Sequence, residues 1–193
     1  MRLPALEKNI LVYRALEMTL FLFYAEDTRR YLIDLGRHLI PKKAARELKG
    51  GKLLRVIFDS LVSEGSISHA ESKELQGLLE HRNTIAHEIH LLTGDIDVPG
   101  RGYQFRGLSR VKYDYTALRK IRRWHKAVYD RVPIRGEVTL SPDGLLFEAA
   151  ERAYEVELAA LRKRINRQLG VRKDKIERHR PRLTDNIRGA RSR

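Results

Sequence analysis

Cysteine is absent from this chain of 193 residues, which excludes disulfides, thiolate metal sites and a cysteine nucleophile. Also missing is any run of about 18 apolar residues, the length a membrane-spanning helix needs. The most apolar stretch, residues 16–25, contains Glu17 and is closed by Glu26 and Asp27, so it reads as a buried helix. The first residues show no succession of charged, apolar and cleavage regions. The expected location is the cytoplasm, with no membrane partner. No Walker loop, dinucleotide fingerprint or Gly-x-Ser-x-Gly elbow is present, which removes the common phosphate-loop, dinucleotide and serine-hydrolase readings. There is no internal repeat.

Acidic charge is short in one half only. Residues 1–97 hold 14 Lys and Arg against 14 Asp and Glu, whereas residues 98–193 hold 25 against 11 and so carry the whole net charge of +14. An excess confined to one half points to a polyanionic partner, most commonly nucleic acid. The bland alternative is a solubilising tail.

What is plentiful is helical periodicity. Residues 4–36 read as one long helix with a broad apolar stripe that includes Leu6, Tyr13, Leu20, Tyr24, Leu32 and Leu35, suited to contact with several helices. Residues 41–48 are a candidate short helix closed by Gly50 and Gly51, and residues 52–63 read as another helix. Residues 93–102 form a loop by their Gly, Pro and Asp content. Residues 113–132 read as a helix with Tyr115, Leu118, Ile121, Trp124 and Tyr129 on its apolar side, ended by Pro133. Residues 103–108 and 138–140 leave open a minor β-ribbon. Ser141 with Pro142 reads as the start of a last helix, running to Leu169 and stopped by Gly170, with a hairpin turn as the competing reading. Residues 171–193 are arginine-rich, have little to bury, and are expected to be disordered alone. The expected fold is mainly α: an antiparallel helical bundle over residues 1–131, a linker and C-terminal helix over 132–170, and a basic tail over 171–193.

Residues 75–92 are where chemically capable side chains interrupt a strong helical pattern. Leu75, Leu78, Leu79, Thr84, Ile85, Ile89 and Leu92 recur at core spacing. Ser68 with Glu71 predicts a capping box at the start, and Gly94 a stop. Asn83 and His87, four residues apart, fall on one face, Arg82 flanks them and His90 lies nearby. Arginine-to-histidine spacings recur more loosely at Arg119/His125 and Arg172/His179, so the spacing alone says little.

The full pattern Arg82-Asn83-x-x-x-His87, late in an all-α domain, resembles the HEPN superfamily. That family's signature is Arg, four to six residues, then His, usually with Asn, Asp or His directly after the Arg. The resemblance spans roughly residues 1–130. It implies a metal-independent endoribonuclease, a toxin, defence or RNA-processing enzyme, acting as a homodimer in which two motif helices line one composite cleft. Carried over by position, His87 would handle protons, Arg82 would bind and stabilise the phosphate, and Asn83 would orient the pair. Cleaving RNA through its own 2′-hydroxyl needs proton transfer at two oxygens, which suits histidine near neutral pH. The phosphorane gains negative charge, which suits a fixed guanidinium. One histidine per chain does not easily act as both acid and base; two copies in a dimer would.

The chain departs from the pattern at Ile89, where many HEPN toxins paired with nucleotidyltransferase antitoxins carry tyrosine. An antitoxin or regulatory protein stays an open partner, but silencing through that tyrosine is in doubt. His90 is read either as a second proton carrier or as polar surface. A metal site on His87 and His90 with Asn83 or Glu88 is the lesser alternative, and no cofactor is expected. Arg119, Arg122, Arg123 and Lys126, with Arg162, Lys163, Arg164 and Arg167, are the candidate RNA-binding residues, with aromatics such as Tyr103, Phe105, Tyr113 and Tyr115 interleaved among cations. For Trp124 a core position is preferred. Two other functions compete: a non-catalytic helical RNA-binding or complex-subunit module, and a DNA-binding regulator, which lacks a recognisable helix-turn-helix or ribbon signature here.

Overall fold

The computed structural model describes residues 4–40, 48, 50–88, 92–93, 96, 113–131 and 142–179. Among these residues the chain forms five helices and no strand: α1 (Ala5–Leu39), α2 (Gly51–Ser63), α3 (His69–His87), α4 (Ala117–Arg131) and α5 (Pro142–His179). The fold is mainly α, as the periodicity predicts. The candidate ribbon at 103–108 and 138–140 and the loop stop at Gly94 lie outside the described residues. So does the candidate helix at 41–48, apart from Leu48.

Helix α1 is the axis of the bundle. Its 35 residues, at about 1.5 Å each, give a rod of roughly 52 Å. It packs against all four other helices. Leu6, Tyr13, Leu20, Phe21, Leu32 and Leu35 are all buried, and together they exceed one stripe. Contacts along α1 give the directions of its neighbours. Tyr115 meets Arg14 while Tyr129 meets Asp27, so α4 runs parallel to α1. Phe147 stacks on Phe23 while Arg172 meets Glu7, so α5 runs antiparallel. Glu74 pairs with Arg123 and Glu71 with Arg131, which makes α3 antiparallel to α4. The sequence neighbours α3 and α4, and α4 and α5, are thus antiparallel, whereas α1 and α4 meet as a parallel pair, so the bundle does not alternate strictly along the chain.

Local sequence explains most of the helix ends. At α3 the Ser68 backbone N–H donates to Glu71 at 2.8 Å and the Glu71 N–H donates to the Ser68 hydroxyl at 3.2 Å, the predicted capping box. Leu75, Leu78, Leu79 and Ile85 are buried as the spacing predicts, whereas Thr84 is exposed. The helix stops at His87 and not near Gly94. Glu88 leaves helical geometry at φ −123°, ψ 56°, and beyond it the Leu92 carbonyl accepts from Arg14 Nη1 at 2.9 Å. A buried guanidinium on α1 thus holds the carbonyl that a longer helix would have kept for itself.

Two further ends differ from expectation for related reasons. Helix α4 begins at Ala117, four residues later than predicted, because Asp114 closes a turn by accepting from the Thr116 N–H at 2.7 Å. Tyr113 and Tyr115 are thereby released to bond to α1. Helix α5 begins at Pro142, the helical reading of Ser-Pro over the hairpin reading, and continues through Gly170 to His179. An interior glycine costs roughly 1 kcal/mol against alanine. Here Arg172, two residues later, donates to the buried Glu7 at 3.0 Å, which anchors the start of the segment expected to be a disordered tail. Residues 180–193 lie outside the described residues.

Gly36 is the fourth difference. Expected as the end of α1, it lies inside it, and a β-carbon there would stand 2.4 Å from Cδ1 and 2.6 Å from Cγ1 of the fully buried Ile57 on α2. The glycine serves close approach of two helices rather than termination. Gly36→Ala is expected to destabilise by about 1–3 kcal/mol through overpacking, and Ile57→Val in the same chain should recover part of it. Urea midpoints of the two single variants and the double variant check this; simple additivity of the two losses is the contrary result.

Candidate functional site

The last two turns of α3 carry Arg82, Asn83 and His87 at the surface of the bundle. Arg82 is a third exposed, and its two terminal nitrogens have different partners. Nη1 donates to Asn83 Oδ1 at 2.8 Å, and Nη2 donates to Glu26 Oε2 on α1 at 2.8 Å. Asn83 and His87 are exposed. The predicted association of Arg82 with Asn83 is therefore direct, Asn83 and Glu26 both accept from the one guanidinium, and His87 follows one turn after Asn83 on the helix. His87 in the last turn also sits favourably at the negative end of the helix dipole. His90 and Ile89 lie outside the described residues.

Glu26 is the participant that sequence reasoning missed. In the sequence it only closes an apolar run. In the fold its other oxygen receives Arg29 Nη1 at 3.3 Å, with Arg30 Nε at 3.9 Å, so one carboxylate gathers three guanidinium groups. A pair this accessible contributes little to stability, about 0–1 kcal/mol. Its effect is on direction: it fixes where Arg82 points. A signal was available, since an acidic pair directly after ten mostly apolar residues on a buried helix must meet partners where the helix surfaces.

Asp27, the second member of that pair, forms a separate constellation. Its Oδ2 lies 2.8 Å from His125 Nε2 and accepts from the Tyr129 hydroxyl at 2.8 Å, both on α4. The His125 hydrogen bond, with help from Tyr129, holds the Asp27 carboxyl below its ordinary range despite partial burial. His125 is three-quarters buried, with Tyr24 edge-on to it. On α3, His81 is half-buried and packs edge-on to Phe21, with centroids 5.4 Å apart. Burial pushes its pKa below that of a free histidine. Neither histidine belonged to the predicted site. Among the described residues no group of three His, Asp or Glu is placed to hold a metal ion.

The eight candidate RNA-binding residues do not form one surface. Arg122 is bound by Glu155 at 2.8 Å and approaches Glu151 at 3.4 Å. Arg123 turns toward α3 and donates to both oxygens of Glu74, at 2.9 and 2.7 Å. Lys126 and Arg167 are exposed. Arg164 lines a shallow groove between α1 and α5 with Lys8, Asn9 and Gln168. Arg119, Arg122, Arg162 and Lys163 converge on a single cleft of about 1060 Å³ between α4 and α5, floored by Tyr13 and Glu17 of α1. Tyr113 and Tyr115 belong to the polar network under that cleft, Trp124 is buried in the core as preferred, and Tyr103 and Phe105 lie outside the described residues. No described helix is long and apolar enough to cross a membrane.

No protein-family description, no curated protein and no solved structure matches the chain.

The His81 environment has a pH consequence. With its folded pKa depressed, the unfolded chain binds the proton more readily, so stability falls as pH drops through the ordinary histidine range near 6.5. His81→Leu keeps the apolar contact with Phe21 and removes that proton. The difference in urea midpoint between pH 7.5 and pH 5 should be smaller in the variant than in the wild type; an equal difference would mean that His81 titrates normally.

Proposed function

We propose that this chain is a metal-independent endoribonuclease of the HEPN type, in which Arg82 and His87 act on the RNA and Asn83, the third residue of the predicted site, positions Arg82. The observation that carries the reading is the bracketing of Arg82. Its guanidinium is held in one orientation by Asn83 on its own helix and Glu26 on α1, while His87 stands free one turn further on. A pre-oriented cation, with an exposed imidazole further along the same helix, suits transition-state stabilisation at a phosphate, since the cation need not reorganise at the moment of reaction. His87 would remove the proton of the 2′-hydroxyl, which attacks the adjacent phosphorus. Arg82 would take the charge of the phosphorane. The leaving 5′ oxygen would receive its proton from a second imidazole, supplied by His87 of a second copy of this chain. Asn83 and Glu26 act through Arg82 and are positioning residues.

One observation favours a second reading, a non-catalytic RNA-binding module on the same bundle. Glu26 neutralises much of the Arg82 charge that a phosphate would use. The two readings separate on labelled RNA in EDTA. Wild type should cut it and leave a strand of 2′-O-methyl residues intact, and His87→Ala or Arg82→Ala should lower the rate by about 10²–10⁴-fold. Stability should change by no more than about 1 kcal/mol, because these side chains cover no core. Full activity in His87→Ala would remove the catalytic assignment, and no cleavage by wild type would favour the binding module.

The composite cleft adds a prediction on assembly. Light scattering across the active concentration range should show a dimer, with His87 of each copy near a two-fold axis, the commonest symmetry of soluble oligomers. A monomer that cuts at full rate would exclude a shared cleft.

A further inference from the structure

The cleft between α4 and α5 is built from three helices and has cations on both walls. Two of its four are already engaged: Arg122 by Glu155, and Arg162, whose Nη2 donates to the Tyr13 hydroxyl at 2.8 Å. The other two, Arg119 on α4 and Lys163 on α5, are exposed and have no hydrogen-bond or ion-pair partner among the described residues. They stand on opposite walls of one cleft. The remaining lining includes Leu118, Val156 and Ala159, which offer apolar surface, and the ring of Tyr115.

Tyr115 is fixed unusually firmly for an exposed side chain. Its ring is about half exposed, yet its hydroxyl accepts two hydrogen bonds from the buried Arg14, from Nε at 2.9 Å and from Nη2 at 2.7 Å. Tyr113 packs edge-on behind it with centroids 4.6 Å apart. An aromatic face held in place by a buried guanidinium loses little freedom when a planar group stacks on it. The volume of about 1060 Å³ is at the upper end of ligand-sized clefts. Charge also continues past it: Lys126 lies two turns beyond Arg119 on the same face of α4, and Arg167 one turn beyond Lys163 on α5, both exposed. Because α4 and α5 are antiparallel, these two flank the cleft at opposite ends. A small anion would use only the centre of such a track, whereas a strand would use all of it.

We infer that this cleft holds one unpaired nucleotide of a single RNA strand, its phosphate between Arg119 and Lys163, its base against Tyr115, and the neighbouring phosphates toward Lys126 and Arg167. The site lies apart from the Arg82–His87 constellation in the chain, and it binds whether or not that constellation cuts.

The test uses the full chain and a fluorescent 2′-O-methyl oligonucleotide with one 2-aminopurine, which cannot be cleaved through a 2′-hydroxyl. Affinity is followed by anisotropy and stacking by quenching of the 2-aminopurine. The double variant Arg119→Gln, Lys163→Gln breaks no hydrogen bond or ion pair among the described residues and should fold as wild type does. It should weaken binding by about tenfold or more, lower the slope of log affinity against log salt by roughly 0.7, as the loss of one phosphate contact to a single strand requires, and abolish the quenching. A control of equal charge change on α2 and α3, Lys52→Gln with Lys73→Gln, should change affinity by less than about threefold. Equal losses in both double variants would show diffuse charge and overturn the inference. So would binding of the same oligonucleotide annealed to its complement as tight as that of the single strand. A free nucleoside monophosphate that binds as tightly as the strand would put a small metabolite in the cleft and overturn it as well. Failure of RNA cleavage in the preceding experiment leaves each of these outcomes readable.

Discussion

A helix buried on nearly every side must find partners for each polar group it carries inward, and α1 carries several. Glu7, Arg14, Glu17 and Thr28 are all at most 5% exposed. An ionised side chain left unpaired at such a depth costs several kcal/mol. Thr28 satisfies its hydroxyl on its own helix, against the Tyr24 carbonyl at 2.7 Å. The charged three cannot, and each draws in a distant piece of chain. Glu7 takes Arg172, Arg14 takes Tyr115 and the Leu92 carbonyl, and Glu17 takes the Tyr113 hydroxyl at 2.9 Å with Tyr13 beside it at 3.3 Å. These demands tie the basic second half of the chain to the neutral first half.

The same constraint shapes the cleft. Burial pushes Glu17 above the usual carboxylate range, against the hydrogen bonds from Tyr113 and Tyr13 that oppose the shift. Tyr113 and Tyr13 are both raised above an ordinary phenol, chiefly by burial and next by the neighbouring Glu17 charge. Arg162 then enters from α5 and closes the relay on the Tyr13 hydroxyl. The floor of the cleft is thus a satisfied polar network, rigid because it is buried, on which exposed cations and one exposed aromatic ring are mounted. Where α1 surfaces, the successive carboxylates Glu26 and Asp27 perform a comparable task. About 100° apart around the helix, they reach α3 and α4 respectively, one orienting Arg82 and the other holding His125.

Much of the candidate site could be read in the chain because it is local. Arg82, Asn83 and His87 lie within two turns, so helical geometry alone brings them to one end of α3, with Asn83 and His87 on one face, and the leucine spacing fixes which way that helix faces. The basic residues were legible as a class but not as a place. Eight cations of the same kind divide among ion pairs with Glu74, Glu151 and Glu155, a shallow groove, open surface and one cleft. That division depends on which helix lies opposite, a relation between residues roughly 30 to 150 positions apart, to which periodicity is blind.

Sequence by itself determined the helical class, the positions of three of the five helices to within a few residues, the core faces of α2, α3 and α4, and the helix that carries Arg82, Asn83 and His87. These follow from spacing at 3.6 residues per turn and from short-range capping, both of which need only near neighbours. Tertiary structure alone decided the rest. Gly36 and Gly170 read as helix stops because glycine is a poor helix former, yet the approach of Ile57 and the Arg172–Glu7 pair keep both inside helices. Tyr113 and Tyr115 read as the first turn of a helix, yet the buried charges of α1 drew them out of it. In each case a local preference of about 1 kcal/mol met a packing or burial requirement worth more, and the larger free energy prevailed.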